Sequence, residues 1–197
     1  MRKNLLVYTI STLLLALILF FYITINKRLN GHFEKDEHYH STLTHFQNLS
    51  RQVNNAAVLN PELEQVLGSL RIGSLFAADK KMISTELEQL KKTAIDSLNV
   101  KTIAALEPLL LSEIDWLLEN NVPDIIIRHP SDEHIASFQE INTMIDSGIA
   151  RTNFLIDDNN NFLNDEVKKL RVVIICFLVV AGILLIYTFS KILLTRK

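Results

Sequence analysis

Residues 5–25 read LLVYTISTLLLALILFFYITI, and no charged side chain interrupts the run. At a rise of about 1.5 Å per residue, a helix of this length crosses a hydrocarbon core about 30 Å thick. Residues 172–189, VVIICFLVVAGILLIYTF, form a second uncharged run, and basic residues flank both. The two runs predict two transmembrane helices. The alternative for the first is a cleaved signal peptide, but its apolar part is too long for one and no small-residue cleavage site follows it.

The charged residues are distributed unevenly around these runs. All 22 acidic residues lie between Glu34 and Glu166, whereas five of the 20 basic residues lie outside residues 27–171: Arg2, Lys3, Lys191, Arg196 and Lys197. The segment 26–171 is therefore an acidic polar domain, and the tails, 1–4 and 190–197, are short and basic. Basic residues flank each run almost symmetrically, and a long connecting segment can translocate regardless of charge, so the positive-inside rule decides little. From the basic tails we expect both in the cytoplasm and the domain outside it, in a protein of the cell inner (plasma) membrane.

Composition excludes several classes of protein. An acidic domain lacks the basic surface that nucleic-acid binding requires. The single cysteine, Cys176, lies in an apolar run and permits no disulfide within the chain and no cysteine-based metal site. The chain has only five glycines and four prolines, which favours long helices over sheets with tight turns.

The domain has apolar residues at intervals of three and four, the pattern of amphipathic helices. We expect a first helix over 27–60 that continues from the first span with Asn30-Gly31 as a weak point. A second follows Asn60-Pro61 to about Leu98, with an interruption at 77–81. After a turn at Asn99, a third covers about 101–120, in which Pro108 predicts a kink or a late start. Ser131 or Asp132 caps a fourth helix, which a polar stretch interrupts at 157–161 before it enters the second span.

These patterns predict an all-α fold: two transmembrane helices continuous with an up-down four-helix bundle. In such a bundle each amphipathic helix buries its apolar stripe against the others.

Few residues suggest chemistry. Glu34/His38 and Asp36/His40 have the spacing that places two side chains on one helix face, which keeps a zinc or pH-sensing site as an alternative to a solvated helix. Residues 157–161, DDNNN, do not form a calcium loop, because Phe162 stands where glycine is required. We expect no catalytic, metal or cofactor-binding residue, and three arginines are candidate anchors for an anionic ligand: Arg71, Arg128 and Arg151.

The layout resembles the extracytoplasmic four-helix-bundle sensor region of bacterial chemoreceptors and sensor histidine kinases. Residues 71–79, RIGSLFAAD, are similar to the Arg-Gly-Tyr-Leu-Leu-Thr-Gly-Asp type of string in such bundles, with one residue more. The resemblance implies ligand binding outside the cell, a homodimer, and a signal passed as a small helix displacement. The departure is that the sequence ends eight residues after the second span, without an output module.

The sequence therefore leads to two hypotheses from different classes. The first is a membrane-anchored, chemoreceptor-like input protein that signals through a partner by helix displacement. The alternative is a structural or assembly protein whose helical domain binds another membrane protein. We do not expect an enzyme, because a mostly solvated bundle lacks the buried acid–base pairs that catalysis needs.

Overall fold

The computed structural model describes residues 2–57, 69–119 and 132–195, and the side chains within 9–54, 80–116 and 133–191. These residues form four helices and no strand: α1 (Arg2–Ala57), α2 (Ser69–Thr93), α3 (Ser97–Glu119) and α4 (Asp132–Thr195). The all-α prediction is confirmed to this extent. The expected helix boundary at Asn60-Pro61 lies outside the described residues.

Two of these helices, α1 and α4, are long and apolar enough to span a membrane. Large apolar side chains in their apolar segments are exposed, as at Leu13 (68%) and Ile186 (70%). Water does not favour so much exposed apolar surface, whereas hydrocarbon does. Neither helix is interrupted where the sequence suggested weakness: α1 continues through Asn30-Gly31, and α4 continues through residues 157–161.

The chain divides into two compact units. Unit 1 comprises residues 1–35 and 158–197, and unit 2 comprises residues 36–157. In unit 1 the apolar contacts join Ile25 and Leu29 of α1 to Leu163 of α4.

Unit 2 has one apolar core to which all four helices contribute. Its buried members recur every three or four residues along each helix, as the periodic stripes predicted. They are Phe46, Leu49 and Val53 of α1; Ile83, Leu87 and Leu90 of α2; Ile103, Leu106, Leu110 and Ile114 of α3; and Ile141 and Ile145 of α4. Ala94, in the turn between α2 and α3, completes the set.

Helix α1 approaches α4 closely at one position. A Cβ atom placed on Gly148 would lie 2.5 Å from a ring carbon of Phe46, which is itself fully buried. Glycine therefore makes room for the aromatic ring, although it is a poor helix former.

Three expectations about helix boundaries were wrong. Residues 77–81 do not interrupt α2, which is continuous there, and Lys80 within them pairs with Asp115 of α3. The turn lies at residues 94–96 rather than at Asn99, because Asp96 caps α3 by accepting hydrogen bonds from the backbone N–H groups of Leu98 (3.1 Å) and Asn99 (3.2 Å). A late start at Pro108 is excluded, since α3 begins at Ser97 and contains the proline.

Candidate functional site

The polar residues buried among the described side chains are the candidates for function, because a buried polar group needs a partner and its neighbours are therefore specific. Six such residues are less than a tenth exposed: Thr42, Asn99, Glu113, Thr152, Asn159 and Glu166. Most of them lie at contacts between helices, and each unit contains its own set.

In unit 2, Asp96 joins the turn before α3 to α4. Its carboxylate accepts hydrogen bonds from Arg151 Nη2 (3.0 Å) and Nε (3.3 Å), the two-pronged geometry that suits a guanidinium. The hydrogen bond from Arg151 lowers the pKa of Asp96, and the same bond raises the pKa of Arg151. Since this carboxylate also caps α3, one side chain fixes the start of a helix and its position against α4.

Asn99 and Thr152 form a fully buried polar contact beside this ion pair. The Asn99 amide donates to Thr152 Oγ1 (2.9 Å), and the Thr152 hydroxyl donates to the Gly148 carbonyl of its own helix (2.7 Å). The Asn99 Oδ1 atom is buried and has no hydrogen-bond donor in the described structure. We call Asp96, Asn99, Arg151 and Thr152 the turn cluster.

Of the three candidate ligand anchors, only Arg151 has a described side chain. It is paired with Asp96, and its guanidinium lies 5.5 Å from the centre of the Phe154 ring, within the range of a cation–π contact. An anionic ligand of Arg151 would therefore compete with Asp96. Arg128 and the side chain of Arg71 lie outside the described part of the chain, so their role as ligand residues stays a prediction.

Two histidine–glutamate pairs connect helices of unit 2. His45 Nδ1 of α1 donates to Glu86 of α2 at 2.6 Å, and His134 Nδ1 of α4 donates to Glu113 of α3 at 2.8 Å. Trp116 stacks on the His134 ring with centroids 3.7 Å apart. Sequence patterns did not reveal these pairs, because each partner lies on a different helix.

The four histidines between residues 32 and 45 do not converge. His45 bonds to Glu86, His32 bonds to Asn159, and His40 lies 3.7 Å from Asp36 on its own helix. Among the described residues, no three His, Cys, Asp or Glu side chains are placed to hold a metal ion. The zinc alternative therefore receives no support from this part of the chain.

Unit 1 contains a hydrogen-bonded contact between α1 and α4. Asn159, which is 4% exposed, uses both ends of its amide on one residue. Its Oδ1 accepts from His32 Nδ1 (2.7 Å), and its Nδ2 donates to the His32 backbone carbonyl (3.2 Å). Because the carbonyl requires the NH₂ end, Oδ1 faces the ring, and His32 must carry a proton on Nδ1. The His32 ring also stacks on Phe162, with centroids 3.7 Å apart.

Seven residues further along α4, Glu166 is also buried. Its side chain is 1% exposed, and Oε1 accepts from Lys169 Nζ (2.5 Å) on the same helix. Oε2 is buried without a described donor. Residues 157–161 lie within the continuous helix α4, so the expected interruption there is wrong.

Comparison of the chain with models of protein families, with characterised proteins and with solved structures found no match. Function is therefore inferred from the helices and the buried polar contacts described above.

Proposed function

We propose that this chain is a membrane-anchored, sensor-type input protein, in which a helical domain passes its conformational state to a partner through displacement of α1 and α4. Bound to a bilayer by two spans, the domain occupies the extracytoplasmic side of the cell inner membrane. If the ligand is an anion that binds Arg151, it has to displace the carboxylate of Asp96.

The continuity of α1 and α4 carries this proposal. Each helix is unbroken from its long apolar segment to residues of the unit 2 core: α1 reaches Val53, and α4 contains Ile145. A continuous helix transmits axial movement or rotation, whereas a flexible linker would absorb it. Small shifts of packed helices are an established way to switch between two states.

The arrangement that we propose for the domain is an up-down four-helix bundle. Pairs between α2 and α3, and between α3 and α4, support antiparallel neighbours, since one residue number rises as the other falls. These pairs are Lys80–Asp115 and Lys91–Glu107, then Asn99–Thr152 and Glu113–His134. Apolar residues of all four helices in one core support the same arrangement.

The homodimer implied by the resemblance remains part of the proposal, with one restriction. The stripe Phe46, Leu49 and Val53 is buried within a single chain. A dimer contact along α1 therefore has to use other positions, among which Phe33 is 56% exposed.

A chimera tests the sensor proposal. The chain is fused after Lys197 to the cytoplasmic output module of a histidine kinase, and output is compared between the native chain and Gly148→Ala, which perturbs the packing of Phe46. We expect a change in output of at least severalfold. The matched control is Gly31→Ala, because a Cβ there meets nothing within 4 Å.

Two outcomes contradict the proposal. Output that is the same in the native, Gly148→Ala and Gly31→Ala chimeras shows that the domain is not coupled to its spans. Output that is abolished equally by both substitutions shows a general defect rather than transmission.

The alternative of an assembly protein is favoured by one observation. Near the turn cluster, Ile95 (46%), Leu98 (52%) and Phe154 (59%) expose apolar surface in unit 2. If the alternative holds, replacing Leu98 and Phe154 by Ser abolishes copurification with a membrane protein from native membranes and leaves the chimera output unchanged.

A further inference from the structure

Buried polar residues recur on α4 at intervals of seven positions: Thr152, Asn159 and Glu166. Their exposed fractions are 0%, 4% and 1%. A seven-residue interval keeps residues on one side of a helix that packs with a 3.5-residue period. Four positions after each polar residue stands an apolar one, in the order Ile156, Leu163 and Leu170. This side of α4 therefore has one apolar row and one polar row, and both continue over three consecutive seven-residue repeats.

The three polar residues find their partners in different places. Thr152 bonds to a carbonyl of α4 itself and to Asn99 of α3, and Glu166 bonds to Lys169 of α4. Asn159 is the member of this row whose side chain bonds to α1, through both the ring and the carbonyl of His32.

We propose that Asn159 is a register lock, the contact that selects one axial position of α4 against α1 and that a displacement has to break. The inference rests on the proposed function, because a lock matters only where the two helices move. The inference names the residue that resists the movement of α4 against α1.

The neighbouring apolar contacts cannot select a register by themselves. Ile25, Leu29 and Leu163 gain from burial, which has no direction and changes little when one helix slides along another by a whole seven-residue repeat. The Asn159 amide has to meet one donor and one acceptor that are fixed on the same residue. A slide separates both ends of the buried amide from His32, and a buried asparagine where two helices pack is the best-attested device for fixing register.

Disulfide crosslinking in native membranes tests the lock in the full chain. In a Cys176→Ser background, Leu29→Cys is combined with Leu163→Cys or with Leu170→Cys, one repeat further along. In the native register we expect the crosslink between positions 29 and 163 to form more than the crosslink between positions 29 and 170. Asn159→Leu should lower the ratio of the first product to the second by about tenfold or more, because the variant loses two ordinary hydrogen bonds. Asn160→Leu, at the exposed neighbouring position, should leave the ratio unchanged.

The lock is overturned if the crosslink ratio in Asn159→Leu stays within about twofold of the native ratio, because that change is smaller than the loss of even one hydrogen bond would give. If that variant fails to accumulate, Asn159→Ser decides the question, since serine keeps a polar group but is too short to reach both partners. The crosslink ratio does not depend on any output module. If the chimera output changes in Gly148→Ala but the crosslink ratio does not change in Asn159→Leu, only the lock is refuted. If the crosslink ratio changes as expected but the output is the same in all chimeras, only the sensor proposal is refuted.

Discussion

Asp96 performs two tasks with one carboxylate, because it caps α3 and holds Arg151 of α4. The two contributions are separable, since asparagine is as good a cap as aspartate but carries no charge. Asp96→Asn therefore removes the ion pair and keeps the cap, whereas Asp96→Ala removes both and should cost about 1 kcal/mol more in the free energy of unfolding, the usual value of a cap.

The charge of Asp96 predicts a pH dependence of stability. Arg151 lowers the pKa of this carboxyl in the folded chain. Its contribution is therefore fully present above the unfolded pKa of about 3.9 and is lost as the pH falls through the lower folded value. In thermal melts of the full chain in detergent, followed by circular dichroism, native protein should exceed Asp96→Asn in Tm at pH 6, and the difference should shrink below about pH 4.

The control for this experiment is Asp146→Asn, an exposed position on α4. Its Tm should follow that of the native chain across the same pH range. A native–Asp96→Asn difference that persists unchanged at pH 2 would show that charge is not the cause.

Leu110 tests the position of the core, since it is fully buried in unit 2. Leu110→Ala should lower the free energy of unfolding by about 2–5 kcal/mol, the cost of lost burial and a cavity. Val100→Ala, on the same helix but 48% exposed, should change it by less than about 0.5 kcal/mol. Urea denaturation of the detergent-solubilised chain, followed by the fluorescence of Trp116, measures both, and equal losses would place Leu110 outside the core.

At the scale of the elements, the approach of α1 to α4 depends on Gly148. An added methyl group would meet the Phe46 ring, so Gly148→Ala should destabilise the chain by about 1–3 kcal/mol through overpacking, despite the better helix propensity of alanine. At Gly31, where the space is open, the same substitution should stabilise α1 by about 0.5–1 kcal/mol. Opposite signs in parallel denaturation experiments are the expected result, and two stabilised variants would contradict the close approach.

At the scale of the whole molecule, the proposed topology places unit 2 outside the cytoplasm. Single cysteines at the exposed positions Ser112 and Asn153, in a Cys176→Ser background, should react with an impermeant maleimide in intact cells. A cysteine at Ser190, near the far end of α4, should react only after permeabilisation. The reverse pattern would invert the topology while leaving the two spans in place.

The proposed homodimer also concerns the whole molecule. Cysteines along residues 29–53 of α1 should give intermolecular crosslinks at exposed positions such as Phe33 and none at the buried Phe46. Crosslinking that is absent at every position in native membranes would contradict the homodimer.

The sequence alone was sufficient for the features that depend on local pattern. Uncharged runs identified the two apolar helices, and three- and four-residue spacing identified the core residues of each helix. The sequence was misleading where two local signals competed. Asn99 is a typical turn residue, but the Asp96 carboxylate caps α3, so the turn precedes Asn99 and Asn99 lies within the helix.

Only the tertiary structure decided the partners of the polar residues. Asp96 and Arg151 are 55 residues apart in the sequence, and His32 and Asn159 are 127 apart. Hydrophobic spacing shows which face of a helix is buried, because burial has a period, but it carries no information about which polar atoms of two distant helices meet. Those pairings depend on the axial position of one helix against another, which the pattern of a single helix does not specify.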